Sequence, residues 1–126
     1  MSTDAPVELV GVYHAEGSLL GELRYVVGRA RGTAHCALCD VTHGTVRRKR
    51  SWDEYVAGLD VPLRLVHLDE MPDDVARAVA RWGSPVVLGR TAEGELAPVL
   101  DRDQLEALGG DVDAFADAVE VARALR

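Results

Sequence analysis

The chain has 126 residues, of which 48% are hydrophobic and 28% charged, so we expect one globular domain over 1–126. Its net charge of −7 disfavours binding to nucleic acid or anionic membranes, and no apolar run approaches the roughly 20 residues that cross a bilayer. The N-terminus also lacks the basic start and apolar middle of a secretory signal. We therefore expect a cytoplasmic protein that binds neither nucleic acid nor membrane; the oligomeric state stays open.

The first half of the chain is predicted to contain one strand followed by helices. Residues 7–13 are rich in β-branched side chains and are typical of a buried strand. Residues 18–31 repeat apolar side chains at helical spacing, and Thr33 can cap a short helix that ends before Gly44. Residues 51–54, Ser-Trp-Asp-Glu, have the form of a capping box that begins another helix.

The second half of the chain alternates strands with helices. We predict strands over 63–68, 84–88 and 95–100. The turn at 91–94 would join the last two as an antiparallel hairpin, and Pro72 is suited to the start of the helix between the first two. Asp101 and Gln104 have the spacing of a capping box for a short helix, and Asp111 can cap the last one.

This order of elements resembles the thioredoxin-like fold, with a helical insertion after the first strand. The resemblance implies an α/β protein in which helices flank a central mixed sheet. In that family a proline, commonly cis, begins the strand after the second helix and faces the thiol site, and Pro85 stands at that place. Redox members carry Cys-x-x-Cys directly after the first strand. Here residues 13–16 occupy that place, and the cysteines follow a further helix.

The segment 35–43, His-Cys-Ala-Leu-Cys-Asp-Val-Thr-His, holds both cysteines and two of the four histidines. Two cysteines in a reducing compartment are more typical of a catalytic or metal-binding pair than of a structural disulfide. The segment is similar to one in a group of bacterial proteins, a resemblance that implies no function. With Thr33 as the cap, Cys36 would lie at the third helical position, where the helix dipole lowers the pKa of a thiol.

We place a metal site first among the possible roles of this segment. Cys36, Cys39 and His43 are spaced i, i+3 and i+7, so their side chains share one helical face and can converge on one ion. Two thiolates and an imidazole suit Zn²⁺, or alternatively Cu(I). A further ligand would come from water, from substrate, or from one of four residues: Asp40, His35, His14 or His67.

Two alternatives remain open at this stage. In a thiol-disulfide oxidoreductase, Cys36 would attack a small or protein disulfide and Cys39 would resolve the intermediate, with Pro85 helping to hold the substrate. In a non-enzymatic adaptor, the basic run 47–50, Arg-Arg-Lys-Arg, would bind an acidic partner. His43 separates the first two roles, because a metal site needs it as a ligand and a redox site does not. Neither cysteine has a chemical role if both are only small buried hydrophobic residues.

Overall fold

A mixed sheet of four strands forms the centre of the described molecule. The computed structural model describes residues 5–14, 36–42 and 49–124, apart from the side chain of Asp40. The strands are β1 (Glu8–Val12), β2 (Leu63–Val66), β3 (Val86–Arg90) and β4 (Leu96–Leu100). They lie in the order β2-β1-β3-β4, with β1 parallel to β2 and antiparallel to β3, and with β4 antiparallel to β3. The predicted hairpin is therefore confirmed.

Helices cover both faces of this sheet, which confirms the α/β class. They are α1 (Ala37–Thr42), α2 (Arg50–Gly58), α3 (Asp73–Trp82), α4 (Arg102–Ala107) and α5 (Val112–Ala124). The predicted helix at 18–31 and its neighbour Thr33 lie outside the described residues. Within the part of the chain that is described, none of the helices is long and apolar enough to cross a membrane.

Alternation along β1 divides the core into two layers. Leu9 belongs to the layer formed with α1, α2, α4 and α5, where Trp52 packs edge-on against Phe115. Val10 and Val12 belong to the opposite layer, in which Val75 of α3 is also buried. The short helix α1 therefore packs directly on β1, and this contact positions the cysteines.

The close approach of α1 to the sheet depends on a glycine. A Cβ atom added at Gly11 would lie 2.8 Å from Leu65 Cδ2 and 3.2 Å from Leu38 Cδ2. Both distances are shorter than an ordinary van der Waals contact, so a larger residue in the middle of β1 would force the ends of the Leu65 and Leu38 side chains to move.

Two predicted strands differ from the observed ones by two residues at an end, whereas the other two differ by one. The strand expected over 63–68 ends at Val66, because His67 begins a 3₁₀ turn (Leu68–Glu70) in which its own backbone N–H donates to Glu70 Oε1 at 3.0 Å. The strand expected over 84–88 runs from Val86 to Arg90 instead, since Pro85 has no N–H group for the ladder.

The predicted caps were right for the last two helices and wrong for α2. The side chains and backbone N–H groups of Asp101 and Gln104 bond reciprocally at 2.9 Å, and Asp111 Oδ1 accepts from the N–H of Asp113. The capping box at 51–54 does not form: the N-cap of α2 is Lys49, two residues before Ser51. The Lys49 N–H donates to the carbonyl of Thr42 at 2.8 Å, which fixes the chain before Ser51 is reached.

Candidate dithiol site

The two cysteines lie at the carboxyl end of β1. The backbone N–H of His14, the second residue after that strand, donates to Cys36 Sγ at 3.4 Å although 22 positions separate the two residues. The sequence places the cysteines after an insertion, but the fold brings them back to the strand end. Cys36 is therefore next to the end of β1 in space, although it is far from that strand in sequence.

Cys36 is the residue immediately before α1, and its prediction as the third helical residue was wrong. At this position the sulfur accepts hydrogen bonds from the backbone N–H groups of Leu38 and Cys39, as an N-cap side chain does. A hydrogen bond from the Cys39 thiol has the largest effect, and together with these backbone N–H groups and that of His14 it outweighs burial. The pKa of the Cys36 thiol is lowered from 9.0 to about 7.

The rest of α1 holds the cysteine pair in place. Both thiols are free, with 1% of Cys36 and 6% of Cys39 exposed. At the other end of the helix, the buried Thr42 hydroxyl lies 2.9 Å from Tyr13 Oη and donates to the carbonyl of Cys39 at 3.4 Å. Tyr13 directly follows β1, so this contact joins the end of β1 to the last turn of α1.

A cleft of about 420 Å³ gives access to Cys36 in spite of its burial. The Ser84–Pro85 peptide bond, which precedes β3, is cis, and both residues line this cleft. His14 Nδ1 lies 2.9 Å from Ser84 Oγ, so the two strand ends are bridged beside the thiol. The described residues that line it are His14, Cys36, Ala37, Ser84, Pro85, Arg102, Asp103 and Glu106.

The other predicted site residues do not line the cleft or lie outside the described residues. His67 lies after β2, not within it as predicted, and its Nδ1 is 2.6 Å from Glu70 Oε1. Its ring contacts the ring of Tyr13, with centroids 4.9 Å apart, and it does not line the cleft at Cys36. His35, His43 and the side chain of Asp40 lie outside the described residues.

The metal site therefore stays a prediction. No group of three or more histidine, cysteine, aspartate or glutamate side chains converges on one point within residues 5–14, 36–42 and 49–124. Cys36 and Cys39 supply two of the three predicted ligands side by side. His43, the third, belongs to a segment that is not described.

The basic run 47–50 is only partly described. Lys49 Nζ donates to the carbonyl of Gly110, and Arg50 Nε lies 3.4 Å from Glu54 Oε1 on the exposed side of α2. Two of its four cations thus have partners within the chain, while Arg47 and Arg48 lie outside the described residues. The adaptor role of this run remains a prediction.

Comparison with known proteins adds no function to this geometry. No family model matches the chain, and neither a curated protein nor a solved structure is significantly similar to it. Sequence reasoning found Cys36, Cys39 and Pro85 but missed Ser84, Arg102 and Asp103. In the sequence, Arg102 and Asp103 only follow Asp101, which caps the helix, so the pattern around them indicates a helix start and not a site.

Proposed function

We propose that the protein is a thiol-disulfide oxidoreductase of thioredoxin-like type, with Cys36 as the attacking thiol and Cys39 as the resolving one. The observation that carries this proposal is the environment of Cys36. Its sulfur lines a cleft, is hydrogen-bonded by its partner thiol, and ionises near pH 7. A thiolate is the reactive form in disulfide exchange, and a pKa near ambient pH suits the attacking group.

The reaction needs only the two cysteines and a disulfide substrate. The Cys36 thiolate attacks one sulfur of R–S–S–R, the S–S bond breaks, and the leaving sulfur takes the electron pair and then a proton. Cys39 gives up its proton and attacks Cys36 Sγ in the mixed disulfide, which releases the second R–SH. The protein is oxidised to a Cys36–Cys39 disulfide and the substrate is reduced to two thiols. A reducing thiol then restores the protein.

The fold supports the thioredoxin-like type in two respects. The four strands form a mixed sheet, with one parallel and two antiparallel pairings, and helices flank it, in keeping with the α/β architecture that the resemblance implies. Pro85 precedes β3 and lines the same cleft as Cys36, as the family's proline faces its thiol site. We infer that the protein works in the cytoplasm, where a reducing thiol pool would regenerate the dithiol.

A single-turnover assay tests this function. Fully reduced protein is mixed with one equivalent of bis(2-hydroxyethyl) disulfide, and the released thiols and the protein mass are measured. We expect two thiols released per chain and the loss of two hydrogen atoms from the protein. Cys39→Ser should release one thiol and keep the other half of the reagent as an adduct. A wild-type protein whose two thiols remain unreacted would contradict the proposal.

A second proposal uses the same pair as metal ligands. Its support is that Cys36 and Cys39 are close together and that a pKa of about 7 makes the thiolate form, which binds Zn²⁺ or Cu(I), readily available at Cys36. His43 would be the third ligand. Metal content per chain, measured after anaerobic purification without an affinity tag, tests it. Near-stoichiometric Zn or Cu that is lost in Cys36→Ser and His43→Ala supports the metal site; affinity unchanged in His43→Ala contradicts it.

A further inference from the structure

We propose that the cleft beside Cys36 accepts a low-molecular-weight disulfide that carries both an ammonium and a carboxylate group, of the kind formed by cysteine and its small derivatives. This inference rests on the proposed thiol-disulfide exchange and names its substrate class. Three features of the cleft support it: its size, the charged residues at its rim, and the small share of apolar groups among the described residues that line it.

The size of the cleft favours a small substrate. Cys36 is only 1% exposed, so a disulfide reaches its sulfur through the cleft and not across an open surface. A volume of about 420 Å³ lies at the lower end of the range that is usual for small-molecule pockets. The disulfide of a folded protein would have to enter this space with its flanking backbone, whereas a small disulfide enters whole.

The rim of the cleft presents one positive and one negative side chain. Arg102 and Asp103 are consecutive residues in the first turn of α4, both are exposed, and both line the cleft. Within the described residues neither side chain forms an ion pair or a hydrogen bond. Glu106, the other acid in the lining, already has an interaction of its own. Arg102 and Asp103 are therefore free to bind a charged ligand.

These two groups match a zwitterion. A guanidinium binds a carboxylate through paired N–H donors, and a carboxylate accepts hydrogen bonds from an ammonium group. Apolar contact in the cleft comes mainly from Ala37 and Pro85, while His14 and Ser84 add polar atoms. The described lining thus offers an uncharged, apolar disulfide few contacts, and we assign recognition to the charged ends of the substrate.

The test compares four small disulfides on the reduced wild-type protein. Cystine carries both charges, its dimethyl ester lacks the carboxylates, N,N′-diacetylcystine lacks the ammonium groups, and bis(2-hydroxyethyl) disulfide carries neither charge. The rate of formation of the Cys36–Cys39 disulfide is divided by the rate at which dithiothreitol reduces the same reagent. This normalisation removes differences in intrinsic reactivity. We expect cystine to exceed the uncharged disulfide by roughly tenfold, as two partly exposed ionic contacts would give.

Matched variants show whether Arg102 binds the carboxylate of the substrate and whether Asp103 binds its ammonium group. Arg102→Gln should lower the normalised cystine rate roughly fivefold, to the level of the dimethyl ester, and Asp103→Asn should lower it to that of the diacetyl compound. Arg77→Gln on α3 and Asp117→Asn on α5 make the same changes at exposed positions outside the cleft and should leave the rate unchanged.

The result that overturns the inference is distinct from the one that overturns the proposed function. If all four normalised rates agree within about twofold, or if a folded protein disulfide reacts faster than cystine, exchange is supported but the substrate class is wrong. If the two cleft variants keep the wild-type preference, the recognition by Arg102 and Asp103 is also wrong. If no disulfide oxidises the wild-type protein, the proposed function fails, and the substrate class fails with it.

Discussion

The ends of two neighbouring parallel strands carry a histidine each, yet they offer different chemistry. After β1, His14 donates its backbone N–H to Cys36 Sγ, and its ring bonds the hydroxyl of Ser84 at the mouth of a cleft. After β2, the ring of His67 bonds the carboxylate of Glu70 within the same short turn. The first histidine joins distant segments around a thiol, whereas the second completes a local turn.

Tyr13 directly follows β1 and contacts the residues at both strand ends. Its hydroxyl forms a hydrogen bond with that of Thr42, the last residue of α1, and its ring packs against the ring of His67. The difference between the two ends shows that a histidine at the edge of a sheet is not by itself a functional residue. The cleft, the buried thiol pair and the bridge to Ser84 distinguish the β1 end, and the following predictions test that distinction.

The largest expected effect is the loss of disulfide exchange in Cys36→Ser. A serine hydroxyl does not ionise near neutral pH and cannot form a mixed disulfide, so we expect the rate to fall by at least about a thousandfold. Glu70→Gln removes the charged partner of His67 at the β2 end and should leave the rate within twofold of wild type. A large loss in Glu70→Gln would show that both strand ends serve the reaction.

The next prediction concerns the pH dependence of Cys36. With a pKa lowered from 9.0 to about 7, its alkylation by iodoacetamide, followed by peptide mass spectrometry, should have its midpoint near pH 7. At that pH the thiolate fraction is roughly fiftyfold higher than for a thiol of pKa 9.0. A midpoint near pH 9 would mean that the hydrogen bonds to the sulfur do not stabilise its charged form.

The same shift of pKa makes folding stability depend on pH. A thiol whose pKa is lower in the folded state stabilises the fold fully above pH 9 and loses this effect as the pH falls through 7. The free energy of unfolding of the wild type, taken relative to Cys36→Ser, should therefore rise by about 2 kcal/mol from pH 7 to pH 9. Urea unfolding at both pH values measures the difference, and a fall with rising pH would contradict it.

A comparable effect on stability is expected at the seam between β1 and β2. In Gly11→Ala the new methyl group meets Leu65 and Leu38, so the free energy of unfolding should fall by about 1 to 3 kcal/mol. Gly58→Ala is the matched control. It adds the same methyl group at the end of α2, with nothing within 4 Å, and should be neutral or stabilising by up to about 1 kcal/mol. Equal urea midpoints for the two variants would argue against close packing of α1 on β1.

The smallest expected effect is a difference in the free energy of unfolding between variants of two tyrosines. Tyr13→Phe removes the hydrogen bond to Thr42 and should lower the free energy of unfolding by about 1 kcal/mol. The hydroxyl of Tyr55 is buried and has no hydrogen-bond partner among the described residues, so Tyr55→Phe should be neutral or slightly stabilising. Thermal unfolding of both variants measures the difference. A loss confined to Tyr55→Phe would reverse the assignment.

The elements that could be predicted from the sequence are those fixed by nearby residues. The capping box of Asp101 and Gln104 and the hairpin turn at 91–94 involve contacts within a few positions, and both form as expected. The start of α2 was mispredicted because Lys49 is held by Thr42 and Gly110, neither of which is part of the local capping pattern. Tertiary contacts decided that boundary over local propensity.

The candidate site could be predicted only in part, for the same reason. The spacing of Cys36 and Cys39 identified the thiol pair, and the position of Pro85 after a predicted helix identified the proline. The sequence did not show that His14 meets Cys36 or that Arg102 and Asp103 line the cleft, because these contacts join segments far apart in the chain. Periodicity assigns residues to a face of one element and carries no information about which elements meet.

The most direct test of the central claim is to identify the cysteine that attacks. Reduced Cys39→Ser is treated with one equivalent of cystine, quenched with acid, and mapped by peptide mass spectrometry, with Cys36→Ser treated in parallel. We expect one stable mixed disulfide per chain on Cys36 in the first variant and little or no adduct on Cys39 in the second. An adduct formed mainly on Cys39, or equal slow labelling of both cysteines, would contradict it.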